Sequence, residues 1–160
     1  MVIFHPFLYF DKKKAGVILI KLMPLKCRDS FTKVFNYGKK FYDNNCLCVF
    51  VFSDTEIDKI ELNKCLDINI CYFGVAVGKK IIKKSTIRNR IKRLMRESIR
   101  QIVAKRYSDK DKEFFKYIIF NWKRPIQKSS LIKLSDVYPT IENLFLIAEN
   151  HYINKKKSEK

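Results

Sequence analysis

The most constraining stretch of this 160-residue chain runs from Gly74 to Arg106, where an apolar strand ends in Gly78-Lys79-Lys80 and a basic helix opens near Ser85. At about 100° per residue, Ile87, Ile91, Leu94, Met95, Ser98 and Ile102 gather on one side of that helix. Arg88, Asn89, Lys92, Arg93, Arg96 and Arg100 fall within about 140° on the other side. One face buries, and the apolar run Phe114 to Trp122 that follows makes the unit a strand-helix-strand crossover.

Between Lys79 and Arg106, twelve Lys or Arg stand against one acid, Glu97, so this stretch supplies +11 of the formal +18. A field that dense calls for a polyanion or a great deal of water. A solvated helix with nothing bound is the ordinary reading of a charged face, but here mutual repulsion costs stability with only Glu97 to offset it. Nucleic acid is therefore the favoured partner, with an anionic membrane surface behind it. The prevalence of Arg points the same way, because its planar fork holds phosphate oxygens bidentately where Lys acts as a point charge. Asn89, the neutral member of the row, suits a base edge or a 2′-hydroxyl.

These residues also carry a resemblance. Gly74-Val75-Ala76-Val77-Gly78-Lys79-Lys80, then seven residues, then Arg88-Asn89-Arg90-Ile91-Lys92-Arg93-Leu94 and Arg96-Glu97-Ser98-Ile99-Arg100, resembles the signature of the bacterial ribonuclease P protein component. The likeness extends upstream through Leu25-Lys26-Cys27-Arg28-Asp29-Ser30-Phe31, Val34-Phe35 and Gly38, and downstream through the Tyr117 to Trp122 strand, covering Leu25 to Ala148. Two positions depart from it: Pro24 stands where an Arg is common, and Ile82 where many members have Gly. The seven-residue spacing resembles the proteobacterial form of the motif.

The length suits one domain with a real core, and Pro and Gly are too sparse for a disordered or fibrous chain. Cys27, Cys46, Cys48, Cys65 and Cys71 include no Cys-x-x-Cys pair, and His5 and His151 are far apart, so no zinc site is read from them. Reduced thiols packed as small hydrophobes are expected. No apolar run approaches the roughly 18 to 20 residues that cross a bilayer, and no clear signal peptide precedes the domain. No membrane partner is expected, and the cytoplasm is the expected compartment.

Taken in order, 1–22 reads as an N-terminal extension of open status, either a poorly ordered arm or an added strand. The resemblance implies a start shortly before Leu25, making Met23 an alternative first residue. The domain is set at 23–150. Phe31, Val34 and Phe35 recur at helical spacing from Asp29 to Tyr37, capped by Asp29 or Ser30 and ended near Gly38. Lys39 to Asp43 and Cys46 to Ser53 read as a hairpin around Asp43-Asn44-Asn45. The acids Asp54, Glu56, Asp58, Glu61 and Asp67 read as a solvent loop rather than a catalytic cluster. Ile68 to Gly78 is a third strand. A last helix starts at Ser135, with Pro139 in its first turn and Val137, Ile141, Leu144, Phe145 and Ala148 as its apolar stripe. Residues 151–160 are set apart as a basic tail, charged and frayed from Asn154.

The resemblance implies an α+β fold: a single two-layer α/β sandwich of order αβββαβα, with a four-stranded sheet and a left-handed β-α-β crossover, against the usual hand. It implies the protein subunit of ribonuclease P, which assists a catalytic RNA in removing the 5′ leader of precursor tRNA by endonucleolytic cleavage. Mg²⁺ would be bound mainly through the RNA, with no catalytic or metal-ligating residue on the protein. Lys79, Lys80, Arg88, Asn89, Arg90, Lys92, Arg93 and Arg96 match RNA-contact positions. Lys83 and Lys84 extend the basic patch in the turn, and Arg100 extends the helix row. Phe31 and Phe35 correspond to aromatic residues lining a cleft for the single-stranded leader. Phe50 is assigned as the third cleft residue, with Val49 its alternative, since a one-residue slip turns either to the opposite face. A structural, ribosomal-protein-like RNA-binding role is the alternative function.

Overall fold

The computed structural model describes residues 20–53, 70–107 and 115–159. The acids from Asp54 to Asp67, Cys65, His5 and most of the N-terminal extension lie outside them. The strands are β1 (Lys21–Pro24), β2 (Lys39–Tyr42), β3 (Cys46–Phe52), β4 (Ile70–Val77) and β5 (Phe115–Trp122). The helices are α1 (Arg28–Tyr37), α2 (Ser85–Arg106) and α3 (Leu134–Ser158). A short 3-10 turn, Ser129–Leu131, leads into α3.

One sheet holds all five strands in the order β1-β4-β5-β3-β2. The expected four-stranded sheet is corrected by β1, an edge strand that runs parallel to β4 from Lys21↔Ile70 to Pro24↔Phe73. It has only four residues and ends in Pro, so it is too short to display a period and it tolerates Pro through its edge position. The observed order is thus βαβββαβα. β4 and β5 are parallel neighbours joined by α2, which makes the expected crossover. The hairpin closes as the sequence suggests: Asp43 N donates to Cys46 O at 2.9 Å, and Asn45 N donates to the Asp43 carboxylate at 3.3 Å.

Alternation along the strands sorts the apolar residues onto two faces. On one face, Cys46, Cys48, Phe50 and Phe52 of β3, Cys71 and Phe73 of β4, and Ile118, Phe120 and Trp122 of β5 meet α2 and α3 in the larger core. On the other, Val49, Val51, Tyr117 and Ile119 pack against Val34 of α1. The helices therefore lie on both faces, and α1 adds a partial third layer to the expected two-layer sandwich. A register shift between Val51 and Phe52 skips Lys116, so Phe115 joins Ile118 on the larger core's face.

α1 starts without a side-chain cap, its N-cap position being Cys27 rather than Asp29 or Ser30. Ser30 is buried beneath the helix. Gly38 ends the helix because the chain runs tight against β3: a Cβ there would sit 2.7 Å from Val34 O and 3.2 Å from Phe50 O. Its φ of −78° is one that any residue adopts. α2 buries Ile87, Ile91, Met95, Ser98, Ile99, Ile102 and Val103, while Leu94 stays half-exposed. Packing against both β4 and α3 widens the buried arc beyond the stripe read from the sequence.

α3 corrects the expected frayed tail. It runs unbroken through Asn154 to Ser158, and Tyr152 is 3% exposed, stacked on Phe52 at 5.1 Å. Burying that ring holds the helix past the point where its sequence turns basic. At its start, Lys133 N donates to Asp136 Oδ2 at 2.7 Å, satisfying an amide that the helix leaves open. Glu149 ties α3 to α2, accepting from Arg106 at 2.8 Å and from the Tyr107 hydroxyl. Cys46, Cys48 and Cys71 are buried and free, packed as small hydrophobes, whereas Cys27 is exposed. Among the described residues, no helix is long and apolar enough to cross a membrane.

Candidate nucleic-acid interface

β4 ends at Val77, and the chain turns through Gly78 to Lys84 before α2 begins. The turn is closed by Ile81 N and Ile82 N, both donating to Gly78 O at 3.1 Å. Ile82 is 2% exposed and anchors the turn in the core, which explains why a bulky residue is accommodated where the family motif often has Gly. Lys79, Lys80, Lys83 and Lys84 all remain exposed around that anchor. The sequence thus alternates a buried Ile with pairs of solvated ammonium groups.

On α2 the cations divide by what they hold. Arg88 is half-buried and its Nη1 donates to Ile82 O at 2.9 Å and Lys83 O at 2.5 Å, so it braces the lysine turn. Arg90 is exposed but donates through Nε to Ile132 O at 3.2 Å, linking α2 to the segment before α3. Asn89, Arg93 and Arg100 are exposed, and Lys92 and Arg96 are half-exposed. Arg100 pairs with Glu97 at 3.7 Å, both side chains about half exposed, an ion pair that solvent leaves nearly worthless for stability. All eleven predicted basic or polar residues therefore belong to one surface made by the turn and α2. Arg88 and Arg90 also serve the fold through carbonyl contacts that helical spacing does not reveal.

The predicted aromatic cleft is only partly assembled. Phe31 and Phe35 are half-buried on the α1 face of the sheet, beside Val49. Phe50 is not with them. It is 1% exposed on the opposite face, ringed by Phe115 at 5.6 Å and Phe145 at 5.4 Å. Pairing of Lys40 with Val49 and of Lys39 with Phe50 sets this register, so Val49 and not Phe50 faces α1.

Two aromatic residues missed from the sequence share the α1 face. Tyr72 and Tyr117 are cross-strand partners whose rings stack at 5.5 Å with 18° between planes, and Tyr72 is half-exposed. Their alternation was visible, but the β4–β5 register that joins them was not. Phe31 lies over Gly74, where a Cβ would come within 2.8 Å of Cε1, so the bare backbone lets α1 settle onto the sheet. On the same face Asn121 lies between Ala76 and Leu47, and its Oδ1 is buried with no donor among the described residues. Also among them, no group of three or more His, Cys, Asp or Glu side chains is placed to hold a metal ion.

Comparison with known proteins supplies a family. The Ribonuclease P family model matches residues 19–138. A ribonuclease P protein component of Clostridium kluyveri is 37% identical over 76 residues, 48% of this chain and 55% of the relative. One of Microcystis aeruginosa is 30% identical over 79 residues, 49% of this chain and 58% of the relative. The chain thus spans little more than half the length of these two curated relatives. In three dimensions it is similar to the RNase P protein of Staphylococcus aureus, with a TM-score of 0.56 at 21% identity over 78% of this chain and 94% of that one. At that identity the likeness speaks for the fold.

Proposed function

The chain belongs to the ribonuclease P protein family, and from that premise we propose that it is the protein subunit of ribonuclease P, assisting an RNA subunit in removing the 5′ leader from precursor tRNA. The observation that carries this reading is the continuous basic surface of the Gly78–Lys84 turn and α2, beside which the sheet's other face offers half-exposed aromatic rings.

The division of labour follows from chemistry. Exposed Lys79, Lys80, Lys83, Lys84, Arg93 and Arg100 neutralise RNA phosphates and release counterions, which supplies affinity without reading sequence. Arg88 keeps the lysine turn in shape by holding two of its carbonyls. Asn89 is exposed among them as a neutral group able to pair with a base edge or a 2′-hydroxyl. Phe31, Phe35 and Tyr72 offer ring faces to an unpaired leader, and stacking tolerates the sequence variation that many precursors impose. Mg²⁺ belongs with the RNA in this reading, and no step on this chain depends on it. The left hand of the β4–α2–β5 crossover and a cytoplasmic location belong to the same reading.

The test is cleavage of a precursor tRNA by a bacterial ribonuclease P RNA at low Mg²⁺, with and without the protein. Stimulation that Arg88→Ala with Arg90→Ala abolishes is the expected result. Tight RNA binding without any stimulation would instead make this a structural RNA-binding protein.

A further inference from the structure

An open groove of about 460 Å³ lies between the fifth turn of α2 and the first two turns of α3, lined by Gln101, Leu134, Ser135, Tyr138 and Pro139. Half-buried Tyr138 and Leu134 line it with exposed Pro139, and exposed Gln101 and Ser135 add an amide and a hydroxyl. That combination of one flat π-face and a few edge-directed polar groups, at a size within the usual range of small-ligand sites, fits a nucleobase.

The groove borders the basic face. On α2, Arg90, Glu97 and Gln101 lie within about 40° of one another on the flank toward α3, and Arg93 and Arg100 come next around the helix. Arg90 is bonded to Ile132 O, two residues before Leu134 of the groove. An RNA backbone held by Arg93 and Arg100 therefore passes the groove's rim.

Glu97 acquires a role here. A lone acid on a helix that binds a polyanion works against that binding, yet its carboxylate accepts from Gln101 Nε2 at 2.8 Å and faces Arg100 at 3.7 Å. Engaging the amide nitrogen leaves the Gln101 carbonyl oxygen as the free acceptor at the rim. Glu97 is thus a positioning residue, and Gln101 presents an acceptor suited to a base's exocyclic amino or ring N–H group.

We propose that this α2–α3 groove receives one unstacked nucleobase of the RNA bound along α2, stacked on Tyr138 and edge-bonded to Gln101. The inference rests on the proposed role as a ribonuclease P subunit and adds to it a base-binding site separate from the leader face.

The test measures equilibrium binding of the full chain to a bacterial ribonuclease P RNA across a salt series, for the wild type, Tyr138→Leu, Tyr138→Phe and Gln101→Leu, with thermal melts of each. Losing a stacking ring is expected to weaken binding by about 5- to 150-fold in Tyr138→Leu with an unchanged salt slope, since no phosphate contact is removed. Tyr138→Phe should bind like the wild type, and Gln101→Leu a few-fold more weakly. Affinity of Tyr138→Leu within about twofold of wild type, with a normal melt, would overturn the groove while leaving the functional reading intact. Failure of the wild type to bind would overturn that reading itself, and the groove with it. Should Tyr138→Leu prove unstable, a photo-crosslinker at exposed position 101 decides: a crosslink concentrated on one nucleotide supports the site, and diffuse or absent crosslinks overturn it.

Discussion

Gly74 shows how much one missing side chain can govern. The Phe31 ring rests where a Cβ would be, so Gly74→Ala must push the ring and the first turns of α1 away from the sheet. Overpacking of this kind costs about 1–3 kcal/mol. Gly74→Ala is therefore expected to lower the unfolding free energy by that amount and to weaken binding of single-stranded leader more than binding of the RNA subunit, read by denaturant unfolding and by titration with each RNA. Equal weakening of both would show that the ring's position is not what holds the leader. Phe50 marks the opposite case: the family resemblance suggested the cleft for it or Val49, but pairing with Lys39 turns it into the core, where it packs against Phe115 and Phe145.

Among the elements, α2 carries cations of two kinds, and substitution should separate them. Arg93 is exposed, so Arg93→Ala is expected to leave the melt unchanged and reduce the slope of log affinity against log salt by about 1. Arg88 holds Ile82 O and Lys83 O, so Arg88→Ala should reduce the slope by more than one contact, because the lysine turn loses its brace. Identical slopes for the two variants would count against the bracing role. α3 begins on a single cap, and Asp136→Ala is expected to cost about 1 kcal/mol by denaturant unfolding, with RNA affinity little changed.

For the whole molecule, the buried thiols make stability depend on pH on the alkaline side. Burial pushes Cys46 from its ordinary 9.0 up to about 12, and pushes Cys48 and Cys71 upward as well. Tyr107 is raised by burial and by its hydrogen bond to Glu149. Each group stays protonated in the folded chain at a pH where the unfolded chain would release its proton. Their contribution is therefore fully present below the unfolded value and is lost as pH rises above it, by roughly 1 kcal/mol per thiol at about pH 10. The melting temperature should fall steeply above about pH 9, and Cys71→Ala should flatten that fall even if it lowers the neutral-pH value. A flat profile from neutral to about pH 10.5 would show that the thiols are not shielded as the packing indicates.

What the sequence determined by itself was whatever rests on local period. The buried and basic faces of α2 and the apolar stripe of α3 follow from a spacing of 3.6, and the strands β2 to β5 from short apolar runs and the hairpin turn, all of which a short window displays. The long ordered motif from Gly74 to Arg100 carried the family in the same way. Tertiary structure decided what depends on partners distant in the chain. β1 exists because β4 offers an edge, and Tyr72 meets Tyr117 because the β4–β5 register aligns them. α3 continues to Ser158 because Tyr152 finds Phe52. Phe50 faces the core because hairpin pairing, a matter of one residue's offset, selects the side of the sheet. A side chain's chemistry is written in the sequence, but the neighbour that uses it is chosen by folding.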